Sequence, residues 1–240
     1  MDLDIIVERF AEGLGSIDEK DEISRLSRFR DKTFLPGLPA MPEQEVVRLY
    51  KAWWMATYPN EVPTSLHMET EVPYPMSTRS KLDILFTPSP SALGAPEWAI
   101  EVKRIQFVGD NGKRNDFGVP KMLSPYLKDR SLIHDIHRMI DEPMSKKRAV
   151  VGYAFSYDYS TCEYALSLHS SHAERINEIR TVCRANNPDT GELDAQVLIR
   201  VADLQLRNAG VVTDLIIREF QGLWKHPCGG NGLVFAWEVV

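Results

Sequence analysis

Cysteine is scarce in this chain: three residues among 240, Cys162, Cys183 and Cys228. Their number is odd and their spacing wide. That fits neither a disulfide framework nor a zinc pair, and it points to a reducing compartment. Long hydrophobic runs are missing too, since no apolar stretch approaches the roughly 18 residues that span a bilayer. The opening residues, MDLDIIVERFAE, are acidic and amphipathic and lack the basic segment of a secretory leader. These absences together predict a cytoplasmic chain. An overall basic excess is also lacking: the formal net charge is −6, which argues against a protein that simply coats nucleic acid.

Apolar material is plentiful. A hydrophobic content of 43% with five tryptophans is ample for a core, and the length suits one large domain or a domain with an extension. Charge is spread unevenly. Residues 101–148 hold eleven Lys or Arg against seven Asp or Glu, an excess of four, so the remainder of the chain carries −10. A basic stretch beside a carboxylate site suits a phosphodiester substrate, and it equally suits a solvated loop and helix face.

The chain is organised around residues 79–107, RSKLDILFTPSPSALGAPEWAIEVKRIQF. Leu82, Ile84 and Phe86 alternate with Asp83 and Leu85, the period of a strand. Pro88, Pro90, Gly94 and Pro96 break the chain before a second strand, where Ile100, Val102 and Ile105 are set against Glu101 and Lys103. Residues two apart on a strand share a face, so Glu101 and Lys103 project together. An antiparallel hairpin places Asp83 beside Glu101, gathering two carboxylates and an ammonium. Neighbouring carboxylates repel, so one protonates unless a cation shares the site. Magnesium, which favours one or two carboxylates with water and substrate phosphate, removes the conflict, with Lys103 stabilising negative charge as it develops.

Asp83 followed by Glu101-Val102-Lys103 on the next strand resembles the PD-(D/E)XK nuclease superfamily, the restriction-endonuclease-like enzymes. Leu82 stands where the family's name puts proline. The resemblance implies an α/β fold with a mixed sheet flanked by helices, and hydrolysis of phosphodiester bonds in DNA or RNA. It implies that Asp83 and Glu101 ligate Mg2+ or Mn2+, and that Lys103 positions or activates the attacking water. It also implies a glutamate on the first core helix that reaches the metal. Glu45, one residue before the apolar run, is the better candidate and Glu43 the alternative; a first-turn acid that complements the helix dipole is the plainer reading. Arg79, Lys81, Arg104, Lys113 and Arg114 are expected to hold flanking phosphates.

The remaining chain supports that order of elements. Residues 1–40 read as a helical extension broken at Gly13 and Gly15, with a second segment through Ile23, Leu26 and Arg30. It serves as a dimerisation or substrate-wrapping arm or packs on the main domain, residues 41–240. Val46, Leu49, Tyr50, Trp53 and Trp54 mark a buried helical stripe, with the tryptophans in the core rather than stacked on bases. Residues 65–74 alternate as a strand, and residues 108–123 form a long polar loop. A helix at residues 130–141 buries Leu132, Ile133, Ile136, Met139 and Ile140, with Asp129 or Ser131 as its cap. His134 and His137 on it lack the further ligands zinc needs. RAVVGYAFSY reads as a strand buried on both faces, reached by a crossover. Ser171 and Glu174 suggest a capping box. Residues 194–206 suit helix or strand, residues 211–224 suit a strand or a helix, HPCGGNG is a turn, and residues 233–239 form a strand.

Overall fold

In the computed structural model the chain is described at residues 1–20, 37–63, 65–77, 79–90, 93–106, 119–124, 131–220 and 226–240. The centre is a mixed seven-stranded sheet. Strands β1 (Leu66–Pro73), β2 (Lys81–Pro88) and β3 (Trp98–Ile105) form an antiparallel meander. Next to β3 lies β4 (Lys147–Asp158), parallel to it, as expected for a strand–helix–strand crossover. The short β5 (Glu192–Leu193) pairs with β4 off the main path, β6 (Ile216–Phe220) is an edge strand, and β7 (Asn231–Glu238) lies between β4 and β6. The near-continuous apolar sequences of β4 and β7 match their burial on both faces, and β3 is buried as well although it carries Glu101, Lys103 and Arg104.

Helices cover the two faces. On one side α1 (Leu3–Lys20), α2 (Glu43–Thr57), α5 (Tyr159–Leu168) and α6 (Ala173–Asn186) pack over Ile84, Phe86, Ile100, Val102 and the odd-numbered residues of β4. On the other side α3 (Val119–Leu123), α4 (Leu132–Asp141) and α7 (Ala195–Asn208) cover Leu85, Ala99, Ile105, Val150, Ala154 and Phe235. Trp54 is fully buried, its ring 5.8 Å from that of Phe86, which places it in the core. Among the described residues no helix is long and apolar enough to cross a membrane.

Several local expectations need correction. Helix α1 runs unbroken through Gly13 and Gly15. At Gly13 a Cβ would lie 2.8 Å from Trp53 and 2.9 Å from Tyr50, so this glycine permits close approach of α2 instead of ending the helix. With Ile6, Val7, Phe10 and Leu14 fully buried, α1 belongs to the main core. The second predicted segment, through residues 23–30, lies outside the described residues. Helix α6 starts after a 3-10 turn at Ser170–His172, with His172 at its N-cap and no side-chain capping bond, so the Ser171/Glu174 box does not form. Ser131 does hold the N-cap of α4, without a hydroxyl bond. The ambiguous residues 194–206 are helical because Asp194 caps α7, accepting from the Gln196 N–H at 2.8 Å, and the face of Ala195, Ile199, Ala202 and Leu206 is buried. Helix α5 went unread: its apolar spacing is weak, and Asp158 fixes its start by accepting from the Thr161 N–H.

Candidate active site

The site forms where two strands part. Pairing of β2 with β3 ends at Ile84↔Ile100, although β1–β2 pairing continues to Pro73↔Lys81 and β3–β4 pairing to Ile105↔Ala154. Glu71 on β1, opposite this point, has φ 56°, and Leu82 joins the core cluster of the α4 face instead of alternating with Ile84 and Phe86. Parting leaves the outward N–H groups of Val102 and Arg104 without strand partners. Two carboxylates take them. Asp83 Oδ2 accepts from Val102 at 2.7 Å, and Glu43 Oε2, from the first residue of α2, accepts from Arg104. Buried backbone donors need partners, so these acids complete the sheet while being fixed beside each other.

Glu101 and Lys103 face α4 and are 3% and 7% exposed. Glu101 Oε1 accepts from the Tyr74 hydroxyl at 2.6 Å and lies 3.8 Å from Arg138 Nη1. Lys103 Nζ lies 2.5 Å from Asp135 Oδ2, as an ion pair without the alignment of a hydrogen bond, and 3.9 Å from Glu43 Oε1. Lys121 of α3 approaches Glu43 Oε2 at 3.3 Å. Burial first, then Glu43, push the Asp83 carboxyl up to about 7, against the pull of Glu101, the Val102 N–H and Lys103. Burial, Asp83 and Asp135 push Glu101 well above the carboxylate range. Without a cation, both carboxyls are thus disfavoured as anions. Burial works against Glu43 ionising, but Lys103, Lys121 and the Arg104 N–H outweigh it and hold its carboxyl low. Burial likewise opposes charge on Lys103, and Glu43 and Asp135 override it, raising its pKa. Lys121, where burial dominates, is lowered.

The structure therefore brings Asp83, Glu101 and Lys103 together. It does not bring Glu45: that side chain is 42% exposed and pairs with Arg48 at 2.6 Å on the helix surface. Two residues earlier, Glu43 is the acid directed at β3. Arg104 is also corrected, because its guanidinium turns inward to the Pro39 and Met41 carbonyls on the α2 side and braces the segment before Glu43. Arg79 is exposed, and Lys81 is exposed and 3.6 Å from Glu71. Lys113 and Arg114 lie outside the described residues. Tyr74, Asp135, Arg138 and Lys121 went unread. For Asp135 a signal existed: it interrupts the buried stripe of Leu132, Ile136 and Met139 with a charge.

All acidic donors here are oxygens, the hard ligands suited to Mg2+ or Mn2+. Among the described residues no three His, Cys, Asp or Glu donors form a ready-made metal cage. What is present is a pair of acids, Asp83 held by the Val102 N–H and Glu101 by the Tyr74 hydroxyl, both pushed above the usual carboxylate range. No family profile, curated protein or solved structure matches the chain.

Proposed function

We propose that this protein is a metal-dependent nuclease that hydrolyses phosphodiester bonds in DNA, with a restriction-endonuclease-like core. One observation carries the reading. Asp83 and Glu101, on adjacent strands and anchored by the Val102 N–H and the Tyr74 hydroxyl, are neighbouring acids that both resist ionising, and Lys103, two residues beyond Glu101, stands charged beside them. Such a pair, once ionised, has one negative charge too many for its surroundings, and a divalent cation relieves it. Two carboxylates plus water and a substrate phosphate are the usual complement of Mg2+, so the residues fit without a complete protein cage.

Asp83 and Glu101 would hold the ion, Asp83 anchored by the Val102 N–H and Glu101 by Tyr74. Bound Mg2+ supplies Lewis-acid polarisation of the phosphate and an acidified water. Lys103, kept protonated by Glu43 and Asp135, acts as a hydrogen-bond donor to the phosphate or the attacking water, not as a general base. The water oxygen would bond to phosphorus as the phosphorus–oxygen bond to the sugar breaks, the water's proton passing to solvent and the departing sugar oxygen taking one up from solvent. Arg79 and Lys81, both exposed, would meet flanking phosphates.

Cleavage of supercoiled plasmid with Mg2+ or Mn2+ tests the reading. Asp83→Asn, Glu101→Gln and Lys103→Met should each lose on the order of 10²–10³-fold in rate while remaining folded. Full cleavage by Glu101→Gln and Lys103→Met would remove the mechanism. A second reading, an inactive nuclease-like scaffold that binds nucleic acid or a protein partner, draws on the net charge of −6 and the close Lys103–Asp135 pair. Calorimetric titration with millimolar Mg2+, with and without DNA, separates the two, since the scaffold should bind no metal.

A further inference from the structure

Lysine is a poor residue to aim: its amine is a compact charge on a flexible four-carbon stem. In this site the amine is held from α4. Asp135 stands 2.5 Å from Lys103 Nζ, and Arg138, one turn further along, stands 3.5 Å from Asp135 and 3.8 Å from Glu101. The four side chains are cross-paired, Lys103 with Asp135 and Arg138 with Glu101. The spacing permits this. Residues i and i+2 on a strand are about 6.6 Å apart, and i and i+3 on a helix are about 5–6 Å apart at Cβ. A helix crossing at this point thus meets both strand residues with complementary side chains and no shift of register.

Asp135 is only 2% exposed, between Leu132, Ile136 and Met139 on the core-facing side of α4. A carboxylate there is expensive to desolvate, and an apolar residue of similar volume would commonly stabilise the fold as well or better. Its position makes sense through what it holds. Tyr74 completes the arrangement, with its hydroxyl on Glu101 and its ring 5.5 Å from the Arg138 guanidinium.

We propose that Asp135 is a positioning residue that fixes the Lys103 amine for the reaction, with Arg138 holding Asp135 and Glu101 in register. The functional part rests on the nuclease reading. Asp135 touches the amine and neither the substrate nor the ion, so its loss should act on turnover and not on binding.

The experiment uses the full chain with Asp135→Asn, Asp135→Glu and Lys103→Met, and the double variant of Asp135→Asn with Lys103→Met. Two readouts are taken: steady-state plasmid cleavage with Mg2+, and the rate at which acetic anhydride acetylates Lys103 in the folded protein, resolved by peptide mass and referenced to Lys121. Asp135→Asn should lower kcat about 10–100-fold with KM nearly unchanged, Asp135→Glu should recover most of that loss, and the double variant should be no slower than Lys103→Met alone. Acetylation of Lys103 should rise several-fold in Asp135→Asn and return toward the wild-type rate in Asp135→Glu. Wild-type or faster cleavage by Asp135→Asn, additive losses in the double variant, or unchanged acetylation would each overturn the proposal. If the wild type cleaves nothing while acetylation responds as expected, the nuclease reading fails and the hold of Asp135 on the amine stands.

Discussion

At the residue scale, the acids of the site are distinguished by what they touch. Glu43 and Glu45 are two positions apart on α2, yet one accepts a β3 N–H and faces two lysines while the other meets Arg48 in solvent. Glu43→Gln should therefore reduce cleavage at least tenfold and lower stability, and Glu45→Gln should leave both within error; parallel plasmid assays and melts decide it. Protonation gives a second prediction. The Asp83 carboxyl sits at about 7 in the fold against a usual 3.8, so between those values the folded chain keeps a proton that the unfolded chain has released. Stability from this pair is complete below about pH 4 and is lost as pH rises through 7. In metal-free buffer, Asp83→Asn, which cannot ionise, should gain on the wild type from pH 5 to pH 8. The change in Tm difference is expected to be several degrees, at roughly 2–4 °C per kcal/mol for a chain of this size. A flat difference would mean that the pair holds no such proton.

At the scale of elements, the row behind the site makes its own demand. Lys103, Gly152 and Phe235 are register partners across β3, β4 and β7, and a Cβ at Gly152 would fall 2.0 Å from the Phe235 ring. Gly152→Ala should cost about 1–3 kcal/mol by overpacking and shift the denaturation midpoint accordingly, with cleavage reduced because β4 moves against β3. This paired region was also the most legible part of the sequence. The unbroken apolar run of β4 and the shared face of Ile84 and Phe86 follow from where side chains must go, whereas Leu82 breaks the alternation where the strands part; Glu101 and Lys103 share a face by their spacing. Glu43 stands second to Glu45 on sequence because the apolar stripe of α2 begins beside Glu45, and nothing local announces that β2 and β3 part and expose an N–H to be met. Arg138 and Tyr74 reach the site through contacts between residues distant in the chain, which periodicity does not encode; Asp135 shows only as a charge within an apolar stripe, without its partner. Gly13 misled for a related reason: its lack of a side chain serves the packing of α1 on α2 and not a turn.

At the scale of the whole molecule, the N-terminal helix is structural. Its buried face of Ile6, Val7, Phe10, Leu14 and Ile17 lies in the same cluster as the sheet, and Arg9 forks onto Glu61 at 2.8 and 2.9 Å. Deleting residues 1–20 should strip the sheet of one covering layer and give insoluble or molten protein, as judged by lost near-ultraviolet dichroism; a folded, fully active remainder would show the helix to be dispensable. The parted strands have a wider consequence. Asp83 and Glu43 mend a gap in the backbone bonding whether or not any reaction occurs, so relatives without any catalytic activity would still be under pressure to keep them. The lysine mends nothing in the main chain. In comparing future relatives of this protein, persistence of the two acids would speak for architecture, and persistence of the amine would speak for chemistry.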